Sequence, residues 1–265
     1  MIMKIFISTD IEGCACVHFK DIWIKNSPEH FEAKRQLTRE INASIEGAFA
    51  GGATEVVVSD LHSSGIGNFI LEELDARAQY IFGESPVSRY PSMADGHYDG
   101  IFFLGYHPKD NTPGSSMEGS FVFSINGVEV GELGVDAGVA GQYGVVPLLL
   151  TGDDKACQEA AALMPGIILA EVKQSFADFQ IMSLSPKASV ELIRRKAFEA
   201  MQNFGNTKPF DWGSPVLAIK HYRKEVEADL AMLKYKNSRR IDGLKVEFEC
   251  ENTDTLWKHL KAGII

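Results

Sequence analysis

The sequence predicts an α/β protein, with a mostly parallel N-terminal sheet flanked by helices on both faces and a smaller C-terminal α/β region. Three observations predict it. Short, wholly apolar runs alternate with stretches of helical periodicity through the first half, as parallel sheets covered by helices require. One strong hairpin signal, Asn126-Gly127, marks an antiparallel insertion. The chain has 265 residues, 45% hydrophobic and 23% charged, enough for the core of one large or two modest domains. The division is expected near residue 180, giving a domain over 1–180 and a second over 181–265.

The elements follow in order. "KIFIST" (4–9) reads as a buried strand. Residues 28–52 read as an amphipathic helix, because Phe31, Leu37, Ile41, Ile45, Ala48 and Phe49 recur at helical spacing and Gly51-Gly52 stop it. "TEVVVSD" (54–60) is a second strand, "NFILEELD" (68–75) a short helix and "AQYIFG" (78–83) a further strand. "YDGIFFLGYH" (98–107) is a strongly apolar strand. "VDAGVAGQYG" (135–144) suggests an Ala/Gly helix packed closely on its neighbours, and "VVPLLLTG" (145–152) another buried strand. A helix over 153–166 is capped by Asp153 or Asp154, and a strand is expected at 167–174. Ser185 and Pro186 open a helix to about residue 204. Strands at 214–222 and 244–250, with short helices after each, complete the chain.

The formal net charge of −10 argues against nucleic acid and anionic membrane surfaces, which need basic patches. No apolar run approaches the roughly 20 residues of a membrane span. No secretory leader is read at the N-terminus, so a cytoplasmic location is expected. Cys14, Cys16, Cys157 and Cys250 then stand as free thiols, without zinc-finger spacing.

The chemistry concentrates at strand ends. Three apolar strands close on polar residues: Asp10-Ile11-Glu12, Ser59-Asp60-Leu61-His62 and Gly105-Tyr106-His107. In an open parallel sheet these ends share one edge, where ligands bind. Alternation in an extended chain puts Asp10 and Glu12 on one side. The hairpin adds Glu132, set among small residues in "VGELG". Two imidazoles and three carboxylates suit zinc or another transition ion, and five donors suit two ions better than one. Asp60 is expected to support from outside the donor set. Asp10 and Glu12 fit a glycosidase carboxylate pair poorly, since residues two apart cannot flank a sugar. His18, His30, His97, His221 and His259 lack convergent acidic partners in the sequence.

The motifs "STDIEG", "SDLHS", "GYHPKDNTPG", "GELGVDAGVAG", "VPLLLTGDD" and "VKQ" occur in register. In these the sequence resembles the zinc-dependent D-aminopeptidases encoded with bacterial dipeptide-transport genes, strongly over about 1–185. The resemblance implies two zinc ions per chain held by Asp10, Glu12, His62, His107 and Glu132, with Asp10 as bridge. It implies release of N-terminal D-amino acids from short peptides or amino-acid amides. It also implies a homo-oligomer, on the pattern of a self-compartmentalising decameric ring. The chain departs from the family once: active members carry a catalytic histidine after the "TPG" loop, and here the position falls on Glu118. A glutamate can carry the same proton, so Glu118 is the expected catalytic residue. The alternatives are a related amidohydrolase with another substrate, or a metal-binding homologue acting as an oligomeric binding protein.

Overall fold

The computed structural model describes residues 3–22, 24–62, 67–83, 85, 88–117, 123–235 and 237–261. The apolar run at the start forms β1 (Lys4–Thr9), followed by α1 (Pro28–Ala50) and β2 (Glu55–Asp60). Ser27 caps α1 by accepting the His30 amide hydrogen, with Pro28 in the first turn. Leu37, Ile41 and Ile45 form its buried stripe, whereas Phe31, expected on that stripe, is exposed. Each such buried side chain contributes about 1.5–3 kcal/mol.

The helix expected over 68–75 is a single 3-10 turn at Leu71–Glu73. Side chains of α1 take the backbone groups a helix would have paired: Thr38 Oγ1 accepts from Ile70 N, and Asn42 bonds Glu73 O and Asp75 N. The segment is thereby strapped along α1 before β3 (Gln79–Ile81), α2 (Pro91–Asp95) and β4 (Gly100–Tyr106).

The hairpin is present as β5 (Phe123–Ile125) and β6 (Val128–Val130), with Asn126 and Gly127 both at positive φ, as a type I′ turn demands. Then come α3 (Glu132–Gln142), β7 (Val146–Asp153), α4 (Asp154–Leu163), β8 (Ile168–Ala177) and β9 (Gln180–Ser183). Asp153 is the cap of α4, accepting from Ala156 N. The small residues of α3 permit close packing: a Cβ on Gly141 would meet Phe210 O at 1.7 Å. The return strand β9 has no sequence expectation, because its turn passes through Phe179 at φ 59 in place of a glycine signal. The remainder is α5 (Pro186–Gln202), β10 (Val216–His221), α6 (Glu225–Lys234), β11 (Ser238–Arg240), β12 (Lys245–Cys250) and α7 (Thr253–Lys261).

Among the described residues the strands form two sheets. The larger has the order β3-β2-β1-β4-β7-β8-β9, parallel except for the β8–β9 pair. The smaller is antiparallel, in the order β11-β12-β10-β5-β6. Alternation along β1 divides the core. Ile5 and Ile7 pack with the buried faces of α1 and α5, while Phe6 packs with the side that holds α3, α4 and the smaller sheet. The fold is therefore α/β with both faces of the larger sheet covered, as the sequence predicts. The chain runs β1 to β2 to β3 on one side and then crosses to β4 on the other. Strand order thus reverses between β1 and β4, which opens a crevice at their carboxyl ends. No helix among the described residues is long and apolar enough to cross a membrane.

Candidate metal centre

Four donors arrive where strand order reverses. Asp10 and Glu12 follow β1, His62 follows β2 and His107 follows β4. Glu132 comes from the first turn of α3, after the hairpin and not within it. The chain leaves β1 at Thr9, so strand alternation is not what aligns Asp10 with Glu12. The tight turn after Asp10 does it, held by Asp10 N to Leu104 O and Gly13 N to Gly105 O, each 2.8 Å. Gly13 is required there, because a Cβ would meet Tyr106 O at 1.9 Å. Gly105, at φ +72, meets the same turn from β4: a Cβ there would lie 2.4 Å from Asp10 O.

Two groups of donors result, and they share Asp10. One is Asp10, Glu12 and His62; the other is Asp10, His107 and Glu132; in each the donor atoms lie within 4.8 Å of one another. His62 Nδ1 is 2.9 Å from both Asp10 Oδ1 and Glu12 Oε2. His107 Nε2 is 3.1 Å from Asp10 Oδ2. Asp10, Glu12, His62 and His107 are buried, and Glu132 is partly exposed. His107 Nδ1 is 2.7 Å from the Pro108 carbonyl, so this nitrogen carries a proton and donates. Neutral His107 then aims a lone pair at the Asp10 carboxylate. Two acceptors face each other, and a proton or a cation must lie between them. That donor set fits a dinuclear transition-metal site with a common carboxylate.

The electrostatics describe the proton-filled state of the cluster. Burial opposes charge on Asp10, yet the neighbouring His107 charge and hydrogen bonds from both histidines hold its carboxyl well below the usual range. Burial likewise opposes the imidazolium of His62, but the Glu12 charge and the hydrogen bonds to Asp10 and Glu12 push it up to about 10. His107 is raised well above its usual value, chiefly by Asp10, against the cost of burial. Burial, reinforced by the Asp10 charge, lifts Glu132 to about 7.

Supporting residues surround the cluster. Asp60 lies behind His62: it accepts from Asn68 N at 2.9 Å and Asn68 Nδ2 at 2.6 Å. The same Nδ2 donates to the His62 carbonyl at 2.9 Å, so Asn68 ties Asp60 to the backbone of His62. Behind Glu132, Arg89 grips Asp136 through Nε at 2.7 Å and a terminal nitrogen at 2.9 Å, and that nitrogen is 3.7 Å from Glu132 Oε2. Tyr106 donates to Asp136 at 2.6 Å.

Lys173 is buried in β8 and donates to the backbone carbonyls of Glu12 and, at 2.7 Å, Val17, clamping both ends of the turn. Lys173→Met would leave two buried carbonyls without that donor and is expected to cost about 2–4 kcal/mol. Urea denaturation measures it; an unchanged midpoint would contradict the clamp.

Sequence reasoning missed Arg89, Asp136 and Lys173 as contributors. Two left a signal. Asp136 lies four residues after Glu132, hence on the same helix face, and Lys173 is a cation in a strand that opens on the apolar run Ile168-Leu169-Ala170. Arg89, in "SRYPS", left none. Among the described residues no cysteine joins either donor group. Glu118 lies outside the described residues.

Comparison with known proteins finds strong similarity along nearly the whole chain. A D-aminopeptidase of Bacillus subtilis (strain 168) is 37% identical over 225 residues, covering 82% of this chain and 81% of that protein. A solved structure, the zinc-dependent D-aminopeptidase DppA from Bacillus subtilis, described as a self-compartmentalizing protease, superposes with a TM-score of 0.91. That match has 30% identity and covers 99% of this chain and 97% of the other. The sequence model of the D-aminopeptidase family matches residues 3–262. The chain belongs to the D-aminopeptidase family.

Proposed function

We propose that the protein is a dinuclear zinc aminopeptidase that releases N-terminal D-amino acids from short peptides or amino-acid amides. The observation that carries this reading is the pair of buried donor groups sharing Asp10, in a member of the D-aminopeptidase family. Glu12 and His62 would hold one ion, His107 and Glu132 the other, and Asp10 both. Zinc, when bound, supplies the Lewis acidity that polarises a peptide carbonyl and acidifies water. The protein's own residues supply the rest. A carboxylate of the cluster orients the substrate's free amine, and Glu118 carries a proton from water to the leaving amine. The protein is placed in the cytoplasm, as a homo-oligomer that follows its self-compartmentalizing relative, with a decameric ring as the specific expectation.

Two measurements test the reading. Purified protein should hold close to two zinc ions per chain. A panel of D- and L-aminoacyl amides and dipeptides should show chelator-sensitive release of D-residues. Metal uptake without any turnover would favour the binding-protein alternative, which the glutamate at position 118 motivates. Glu118→Gln should lower turnover by roughly 10²–10⁴ with metal content unchanged; undiminished turnover removes Glu118 from the reaction.

Zinc binding should strengthen as pH rises. His62 keeps its proton up to about pH 10 in the metal-free protein, and Glu132 keeps its own up to about 7. Zinc must displace these protons, so affinity falls on acidification, most steeply below about 7, where Glu132 is also protonated. Calorimetry in two buffers of different ionisation enthalpy should report protons released per zinc bound; zero release would contradict the coupling.

A further inference from the structure

Beside the metal cluster lies a cavity of about 400 Å³ whose walls include Phe6, Leu61, Ile81, Phe82, Arg89 and Trp257. The two adjoin through shared residues. Leu61 immediately precedes His62, and Arg89 lines the cavity while its guanidinium sits 3.7 Å from Glu132. We infer that this cavity receives the side chain of the substrate's N-terminal residue and favours a large apolar one. The inference rests on the aminopeptidase reading and adds the substrate class to it.

The argument is geometric. In an aminopeptidase substrate the free amine and the scissile carbonyl flank one α-carbon. If both groups are held at the cluster, the side chain on that carbon is the part of the substrate forced into the adjoining space. The space here is mainly apolar. Its one guanidinium is already paired with Asp136 through two hydrogen bonds and stacked 4.5 Å from the centre of the Trp257 ring, so it offers no unpaired charge to an acidic side chain. Ser92 Oγ, in the same lining, is buried and has no hydrogen-bond partner among the described residues, which offers a polar point to a phenol-like tip. The volume exceeds that of a methyl group many times, and in a hydrophobic pocket even one methylene gained or lost discriminates by about 10–200-fold.

The test uses the zinc-loaded full chain and two amino alcohols that cannot be hydrolysed, D-phenylalaninol and D-alaninol, with binding measured by calorimetry. The phenyl compound is expected to bind about 10–100-fold more tightly. Ile81→Trp fills the cavity from β3 and Ser92→Phe fills it from α2. Each, once its native circular dichroism is verified, is expected to reduce that ratio by at least about fivefold. If the wild type binds the two alcohols equally, or both filled variants keep the wild-type ratio, the cavity is not the side-chain pocket and the aminopeptidase reading survives. If neither alcohol binds, both fall.

Discussion

Asp10→Asn is expected to empty both metal positions at once, taking zinc content from about two per chain to near zero and activity with it. Asp10 is the one residue common to the two donor groups. Loss of a hydrogen-bonding partner outside a metal's donor set costs about 10–100-fold in affinity, and loss of a shared charged donor should exceed that at both positions. The amide is nearly isosteric with the carboxylate and can still accept from Ile11 N, which Asp10 Oδ1 now does at 2.8 Å. The turn should therefore persist, and circular dichroism verifies it. Single-site variants sharpen the result. Glu12→Gln should remove the ion shared with His62 and keep the other, and Glu132→Gln the reverse. Elemental analysis after dialysis reads all three. Two zinc ions retained by Asp10→Asn would exclude it as the bridge.

The candidate centre was legible because its geometry follows from topology. Asp10, His62 and His107 follow strands built on apolar runs, at residues 5–7, 56–58 and 101–104, and such strands pair in a parallel sheet with their ends on one edge. The sequence states the run and its polar terminus directly, so convergence over nearly 100 residues follows without any local contact. Glu132 lies beside Asp10 and His107, but in another element than the sequence suggests. "VGELG" continues a hairpin in the sequence, whereas β6 stops at Val130 and Glu132 starts α3. What could not be read were interactions paid for by tertiary structure. Nothing in residues 68–75 announces that Thr38 and Asn42 of α1 would take their backbone groups and leave only a 3-10 turn. Nothing in "SRYPS" places Arg89 against Asp136, because the pair joins a loop to a helix 47 residues on. The turn after Asp10 is hidden as well: alternation predicts that Asp10 and Glu12 face one side, but β1 ends at Thr9, before either residue. The true cause is the close backbone approach at Gly13 and Gly105.

Arg89→Met is expected to destabilise the fold by about 3–5 kcal/mol, because it leaves a buried carboxylate without its cation. Asp136 is fully buried. Without Arg89 it keeps the Tyr106 hydroxyl, at 2.6 Å, but loses the guanidinium that balances its charge. Removing both charges should be far milder, since an apolar pair of similar volume avoids the desolvation cost altogether. The double variant Arg89→Met/Asp136→Leu should therefore regain most of the lost stability, with Tyr106 still bonded to Ser8 Oγ at 2.6 Å. Metal binding should not recover in parallel. Arg89 is one of the groups that restrain the raised pKa of Glu132, now about 7. Without that cation the carboxyl moves further up. Glu132 then holds its proton to higher pH, and zinc at the His107–Glu132 position should need more alkaline conditions in the single variant. The double variant also loses the Asp136 charge, which pushes Glu132 the same way that burial does. Its zinc profile should thus lie between those of the wild type and the single variant. Urea midpoints and zinc titrations across pH separate the two effects. A single variant that unfolds at the wild-type midpoint would refute the structural role of the pair. A zinc profile unmoved in pH would refute its influence on Glu132.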